Sequence, residues 1–302
     1  MRIWIIVLVA LLATGCAGAT TPQDSTASGK FKVVATYSIL GDFVQNVGGD
    51  EVEARTLVGA GGDAHTFEPS PADGVALVEA QLVLENGLAF ETWLDDLYAS
   101  SRSKAPRSVV TEGIEPIASE EEHGEFNPHI WHDVTHAIRM VQNVRDALVK
   151  ADPAKAQVYQ SNADAYVAQL QELDAWVSEQ VKALPEDRRK LVILHDTFAY
   201  FAARYDFEIV GTALGSITTE VTDLSAGEIA ELVEDIKAAG VPAIFAENIS
   251  NPKLMEQIAH EAGVTLAPTL YTDALGEPGS AGETYRKMIR YNVTTIVTAL
   301  SQ

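Results

Sequence analysis

A single cysteine in 302 residues rules out an internal disulfide, so no covalent staple helps to hold this fold. Basic residues are scarce as well. The chain has 21 Lys and Arg against 43 Asp and Glu, a net charge of -22. That excess would repel phosphate backbones, which argues against a nucleic-acid partner. Past residue 12 there is no second long apolar run, so nothing later in the chain reads as a membrane-spanning helix. The whole chain is 47% apolar, and the roughly 270 residues past the N-terminal segment are enough for a globular body of two domains or one large one.

The cysteine sits where it has a use. Met1-Arg2 precedes an apolar run from Ile3 to Leu12, and Ala13-Thr14-Gly15-Cys16 follows. A short positive start, ten apolar residues and a small-residue site read as a secretory signal, too short to stay in a bilayer as a permanent helix. The segment resembles a bacterial lipoprotein signal over residues 1–16, with Ala13 in place of the usual leucine. The resemblance implies that Cys16 is acylated and anchors the mature chain to the membrane. Residues 17–30 turn to Thr, Ser, Gly, Gln and Asp, the composition of a solvated tether.

Beyond the tether the order of elements repeats. Lys32 to Thr36 and Lys190 to His195 are short apolar strands, each followed by a helical pattern. Second strands are expected at Val52 to Val58 and Glu208 to Leu214. Each half then has a helix with a marked start, at Ser70-Pro71-Ala72-Asp73 and at Ser225-Ala226-Gly227-Glu228. Those helices run into Leu82 to Asn86 and Ala243 to Asn248. Strands alternating with helices predict parallel sheets flanked by helices. The fold class is therefore α/β, with two similar lobes at 31–152 and 185–302. Between them, Asp152-Pro153 starts and Pro185 stops one long helix over 153–184. Its apolar face carries Tyr159, Tyr166, Leu170, Leu173, Val177, Val181 and Leu184. At about 1.5 Å per residue it is a rod of roughly 48 Å, which predicts a stiff two-lobed body.

Ligands of open parallel sheets bind beyond the carboxyl ends of the strands. Four segments near such ends carry histidine or acid. Gly61-Gly62-Asp63-Ala64-His65 leads into Pro69-Ser70-Pro71, a stiff loop that holds His65. Asn127-Pro128-His129-Ile130-Trp131-His132-Asp133 places His129 just before a helix capped by Asp133. His132 and His136 are four apart, but His132 falls at the helix boundary, so both are read as solvated or backing residues. His195-Asp196 ends a buried strand. Asp273 follows the apolar run Val264 to Leu270, where a turn residue would also fit. Each signal alone is weak. Together they supply two residues from each half, and three imidazoles with one carboxylate suit a borderline divalent ion, zinc best.

These segments resemble those of the metal-receptor family of bacterial ABC importers, the TroA-like zinc- and manganese-binding proteins. The similarity spans the mature chain and includes Asp-Ala-His-Thr-Phe-Glu-Pro-Ser-Pro, Asn-Pro-His-Ile-Trp, His-Asp-Thr-Phe-Ala-Tyr-Phe and Thr-Asp-Ala-Leu-Gly. It implies two α/β lobes joined by a long helix, with His65, His129, His195 and Asp273 as ligands of a transported Zn2+ or Mn2+. It implies as partners a permease and its ATPase, for a monomeric receptor outside the cytoplasmic membrane. His195 leans towards zinc. The acidic stretch around His123, where zinc-type members carry a histidine-rich loop, leans towards manganese. Rival readings are a metal-dependent adhesin or structural lipoprotein, and an exported zinc hydrolase. The hydrolase needs an open coordination position and a base, and its only nominees, Asp63 and Asp196, lie in no hydrolase-type motif.

Overall fold

The computed structural model describes residue 1 and residues 29–119, 125–220 and 225–302. Cys16, the rest of the expected signal after Met1, residues 17–28 of the tether and His123 lie outside the described residues.

The first half is built on a four-stranded parallel sheet. Strands β1 (Phe31–Tyr37), β2 (Val52–Val58), β3 (Leu82–Glu85) and β4 (Arg107–Val109) lie in the order β2-β1-β3-β4. Phe31 is opposite Val52, Val33 opposite Leu82, and Val83 opposite Arg107. The central strands β1 and β3 are covered on both faces, hence their unbroken runs of buried residues from Val33 to Tyr37 and from Leu82 to Glu85. Helix α1 (Ser38–Gly48) follows β1 directly. Helix α2 (Pro71–Glu79) starts where Asp73 Oδ2 accepts from the Ser70 amide at 2.9 Å, with Pro71 in the first turn. Helix α3 (Leu94–Ser101) follows β3, and α4 (Val134–Ala151) is capped by Asp133, which accepts from the Thr135 amide at 2.7 Å.

The second half repeats this plan with shorter ladders. Strand β5 (Lys190–Ile193) pairs in parallel with β6 (Glu208–Thr212), and β7 (Ala243–Glu247) with β8 (Thr265–Leu270). Strands β5 and β7 pack side by side. Helices α6 (Ala199–Tyr205), α7 (Ala226–Ala239), α8 (Lys253–Ala262) and α9 (Tyr285–Leu300) complete it. The Ser225-to-Glu228 capping box is present: the Glu228 amide donates to Ser225 Oγ, and the Ser225 amide to Glu228 Oε2.

The long connecting helix α5 runs from Ala156 to Lys182. Pro153 to Lys155 form a separate 3-10 turn, closed by the Lys155 amide on the Asp152 carbonyl. At the far end Ala183 and Leu184 tighten onto Gln180 and Val181 ahead of Pro185. The α-helical rod is therefore 27 residues, about 40 Å at ~1.5 Å per residue. Its buried face packs on α1 and α4 of the first half and α9 of the second. One apolar core runs from β1 through α5 to β5, β7 and α9. The two halves are thus fused along a common core.

Candidate metal centre

The loop after β2 carries His65. Asp63 folds this loop on itself, accepting from the His65 amide at 2.9 Å and the Thr66 hydroxyl at 2.9 Å. Trp93 Nε1 ties the Ala64 carbonyl down at 2.8 Å, and the Phe90 ring meets the His65 imidazole edge-on at 4.9 Å. His129 lies just before the 3-10 turn Ile130–His132. Asn127 Oδ1 is 3.0 Å from its amide and 2.8 Å from its Nδ1. With Nδ1–H donating there, the lone pair of His129 is left on Nε2. His195 follows β5 by two residues, and its Nδ1 is 2.7 Å from Glu247 Oε2 at the end of β7. Asp273 follows β8, and its Oδ1 accepts from the Thr197 hydroxyl at 3.0 Å, leaving Oδ2 for another partner.

These four side chains meet. His65 is 5% exposed, and His129, His195 and Asp273 are fully buried. His65 Nε2 is 3.2 Å from His129 Nε2 and 3.3 Å from Asp273 Oδ2. His195 Nε2 is 3.3 Å from His129 Nε2 and 3.1 Å from Asp273 Oδ2, and His129 Nε2 is 3.6 Å from that same oxygen. One donor atom from each residue lies within 4.8 Å of all the others. A tetrahedron with bonds of about 2.0–2.1 Å has edges of roughly 3.3–3.4 Å. Five of the six separations bracket that length and the sixth, between His65 and His195, lies within 4.8 Å, so the four donors surround a space suited to an ion such as Zn2+. Nitrogen-rich donors with one carboxylate also suit other divalent first-row metals.

Burial and charge set the protonation of the metal-free site. Burial lowers the His129 imidazole to about 4, so it stands neutral at physiological pH. Burial also opposes charge on His195, but Glu247 and Asp273 flank its two ring nitrogens and hold it well above its ordinary value. Asp273 pays the same burial penalty, yet the His129 and His195 rings keep it well below the usual carboxylate range. Without a metal ion, His195 is therefore the ligand held towards its protonated form.

Other sequence candidates fall elsewhere. His132 is fully buried, packed at 4.4 Å on the Phe198 ring, and burial lowers it to about 3. Of the two readings given to it, solvated or backing, the solvated one is corrected: the 3-10 turn places it off the face of α4 and in the core. His136 stays partly exposed, 3.7 Å from Asp133. Glu85, the counterpart of Glu247 in the repeat, takes up Arg107 through both oxygens at 2.9 and 2.6 Å. Asp63 is occupied within its loop and by Thr219 Oγ1, and Asp196 Oδ2 receives Asn127 Nδ2 at 3.1 Å. The sequence did not single out Asn127 or Thr197, although each stands two residues from a candidate ligand.

A buried site of three histidines and one aspartate, drawn equally from two α/β halves fused by a long helix, defines a two-lobed metal-binding protein. The chain belongs to the family described as zinc-uptake complex component A, periplasmic, whose model matches residues 33–299. It is 36% identical over 299 residues to the manganese-binding lipoprotein MntA of Halalkalibacterium halodurans, covering 99% of this chain and 98% of that one. It is 33% identical over 301 residues to the iron-binding protein YfeA of Yersinia pestis, covering 99% and 94%. The solved periplasmic zinc-binding protein TroA of Treponema pallidum superposes with a TM-score of 0.85 at 33% identity, over 91% of this chain and all of that one. Relatives of one fold thus carry three different metals in their names. Among the described residues no helix is long and apolar enough to cross a membrane.

Proposed function

We propose that this chain is the extracytoplasmic receptor of an ABC importer, capturing a divalent transition metal, zinc or manganese, between its lobes and delivering it to the membrane permease and its ATPase. His65, His129, His195 and Asp273 are the ligands. The lobes span 31–152 and 185–302 with the linking segment 153–184 between them. Acylated Cys16 holds the monomeric receptor at the outer face of the membrane. The observation that carries this reading is the convergence of four buried donors at separations suited to one ion.

A four-donor protein shell holds an ion and gives it no open position at which to activate water, which favours a carrier over a hydrolase. Neither acid nominated as a hydrolytic base is free to act as one. The test is calorimetry on metal-free protein with Zn2+ and Mn2+. His65→Ala and Asp273→Ala should each reduce affinity at least 100-fold, by deleting one donor of four, while circular dichroism stays unchanged. Full affinity in either variant would remove that residue from the site. Elemental analysis of protein taken from its native envelope, with uptake assays in a deletion strain, would identify the cargo.

A further inference from the structure

After β3 the chain reads Asn86-Gly87-Leu88-Ala89-Phe90-Glu91, and the backbone there does something unusual. Gly87, Leu88 and Ala89 follow one another at φ +80, +55 and +57. Glycine enters the left-handed region freely, but two consecutive side-chain-bearing residues do so only when their surroundings hold them there. Glu91 supplies the hold. Its Oε1 accepts from Thr36 Oγ1 at 2.6 Å and the Asn86 amide at 2.7 Å, and its Oε2 accepts from the Gly87 amide at 3.1 Å. These partners are all donors, so the group works as a triple acceptor. Burial pushes its carboxyl up to about 7 against the pull of Thr36 and the Asn86 amide.

What the turn holds in place is the first-half side of the metal centre. Phe90 is fully buried, edge-on to His65 at 4.9 Å and to His129 at 5.9 Å, and braced by Tyr37 and Trp131 at 5.0 Å each. Asn86 Nδ2 donates to the carbonyl of Pro128 at 3.0 Å, immediately before His129, and Asn86 Oδ1 accepts from the Tyr37 hydroxyl at 3.1 Å. The hydrogen bonds of Glu91 go to Thr36, Asn86 and Gly87 rather than to any of the four ligands, yet both routes from it end on one. We propose that Glu91 is a positioning residue for the metal centre, its carboxylate fixing the left-handed Gly87-to-Ala89 turn so that Phe90 and Asn86 set the orientation of His65 and His129. This rests on the reading of the site as a metal centre. In the second half Glu247 meets His195 directly; in the first half the same task is done at one remove.

The test uses Co2+, whose visible absorption reports ligand geometry, and its release into excess chelator by stopped flow. Glu91→Gln keeps the shape but turns one acceptor into a donor facing an N–H. It should release Co2+ about tenfold faster, the scale of effect seen when groups supporting metal ligands are lost, with a shifted visible spectrum. An unchanged spectrum, or release within twofold of the unsubstituted chain, overturns the proposal, including where the thermal midpoint falls. Should Glu91→Gln fail to fold, Thr36→Val, which removes a single donor to the carboxylate, is judged by the same two readouts. Absence of Co2+ and Zn2+ binding by the unsubstituted chain would instead overturn the metal-centre reading itself.

Discussion

Replacing Glu247 with glutamine should weaken metal binding by about 10- to 100-fold, on the scale found for acids that support a ligating histidine, although Glu247 is not itself a donor to the ion. The side chain is fully buried and all its acceptor capacity is in use. Its Oε1 takes the Leu194 and His195 amides at 3.0 and 3.2 Å, and its Oε2 takes the Thr272 hydroxyl at 3.2 Å and lies 2.7 Å from His195 Nδ1. An amide has two ways to sit there, and both fail. With its oxygen towards His195, its NH2 faces two backbone N–H donors. With its NH2 towards His195, Nδ1 must become the acceptor, which puts the remaining proton on Nε2, where the ion binds. The loss corresponds to about 1.4–2.8 kcal/mol. Chelator competition on the metal-free variant measures it, with circular dichroism as the check on folding. Affinity within twofold of the unsubstituted protein would refute the reasoning, because it would mean that the tautomer of His195 is set by something other than Glu247.

Two further outcomes follow from the same geometry. Because His195 is held protonated by Glu247 and Asp273 while His129 is already neutral, ion entry at neutral pH should expel about one proton, and affinity should rise about tenfold per pH unit. Below about pH 4, where His129 also protonates, the dependence should steepen. Calorimetry at pH 7 in two buffers of different ionisation enthalpy counts the protons, and a count of zero rejects the assignment. The linkage has the opposite sign for the metal-free fold. Its raised His195 contributes stability fully below the unfolded histidine value, and this is lost as pH climbs through the folded one. Metal removal gives the second outcome. An ion at 100 times its dissociation constant should stabilise the fold by about 2.7 kcal/mol, raising the melting temperature by on the order of 5 °C for a chain of this size. Thermal melts with and without chelator measure the shift, and an equal midpoint in both would contradict a site built into the folded state.

Local chemistry made much of this legible in advance. The Ser70 and Ser225 helix starts carry their own capping residues, and the buried face of α5 repeats at helical spacing, so those elements could be read without knowing their neighbours. The loops bearing His65 and His129 were legible because glycine, proline and asparagine stiffen them around one functional side chain. Glu85 and Glu247 stand out as acids ending equivalent strands, but which partner each meets was not legible, since those partners are distant in sequence. Glu247 reaches His195 across 52 positions only because β7 lies beside β5. Glu85 seemed its equal by repeat position, yet Arg107 on β4 captures it. The helix boundary at His132 was legible, since the 3-10 turn Ile130–His132 precedes α4, but its depth of burial was not, because it depends on Phe198 of the other half.

The contacts beside the ligands explain why the site should behave as a unit. Two residues from His65, Asp63 accepts from Thr219 of the other half at 2.5 Å. Two residues from His129, Asn127 donates to the Asp196 carbonyl at 2.6 Å and Trp131 to the Thr272 carbonyl at 3.0 Å. Those two acceptors are the immediate neighbours of His195 and Asp273. Each candidate ligand thus has a residue within two positions of it that is bound to the opposite half. Withdrawing one ligand strains or breaks a crossing hydrogen bond worth about 0.5–1.5 kcal/mol as well as its hold on the ion. The crossing bonds in turn share the core that α5 closes along both halves. Loss of an ion through the excursion of a single side chain is therefore disfavoured at all four positions, and the low-energy way to free it is to part the crossing contacts together.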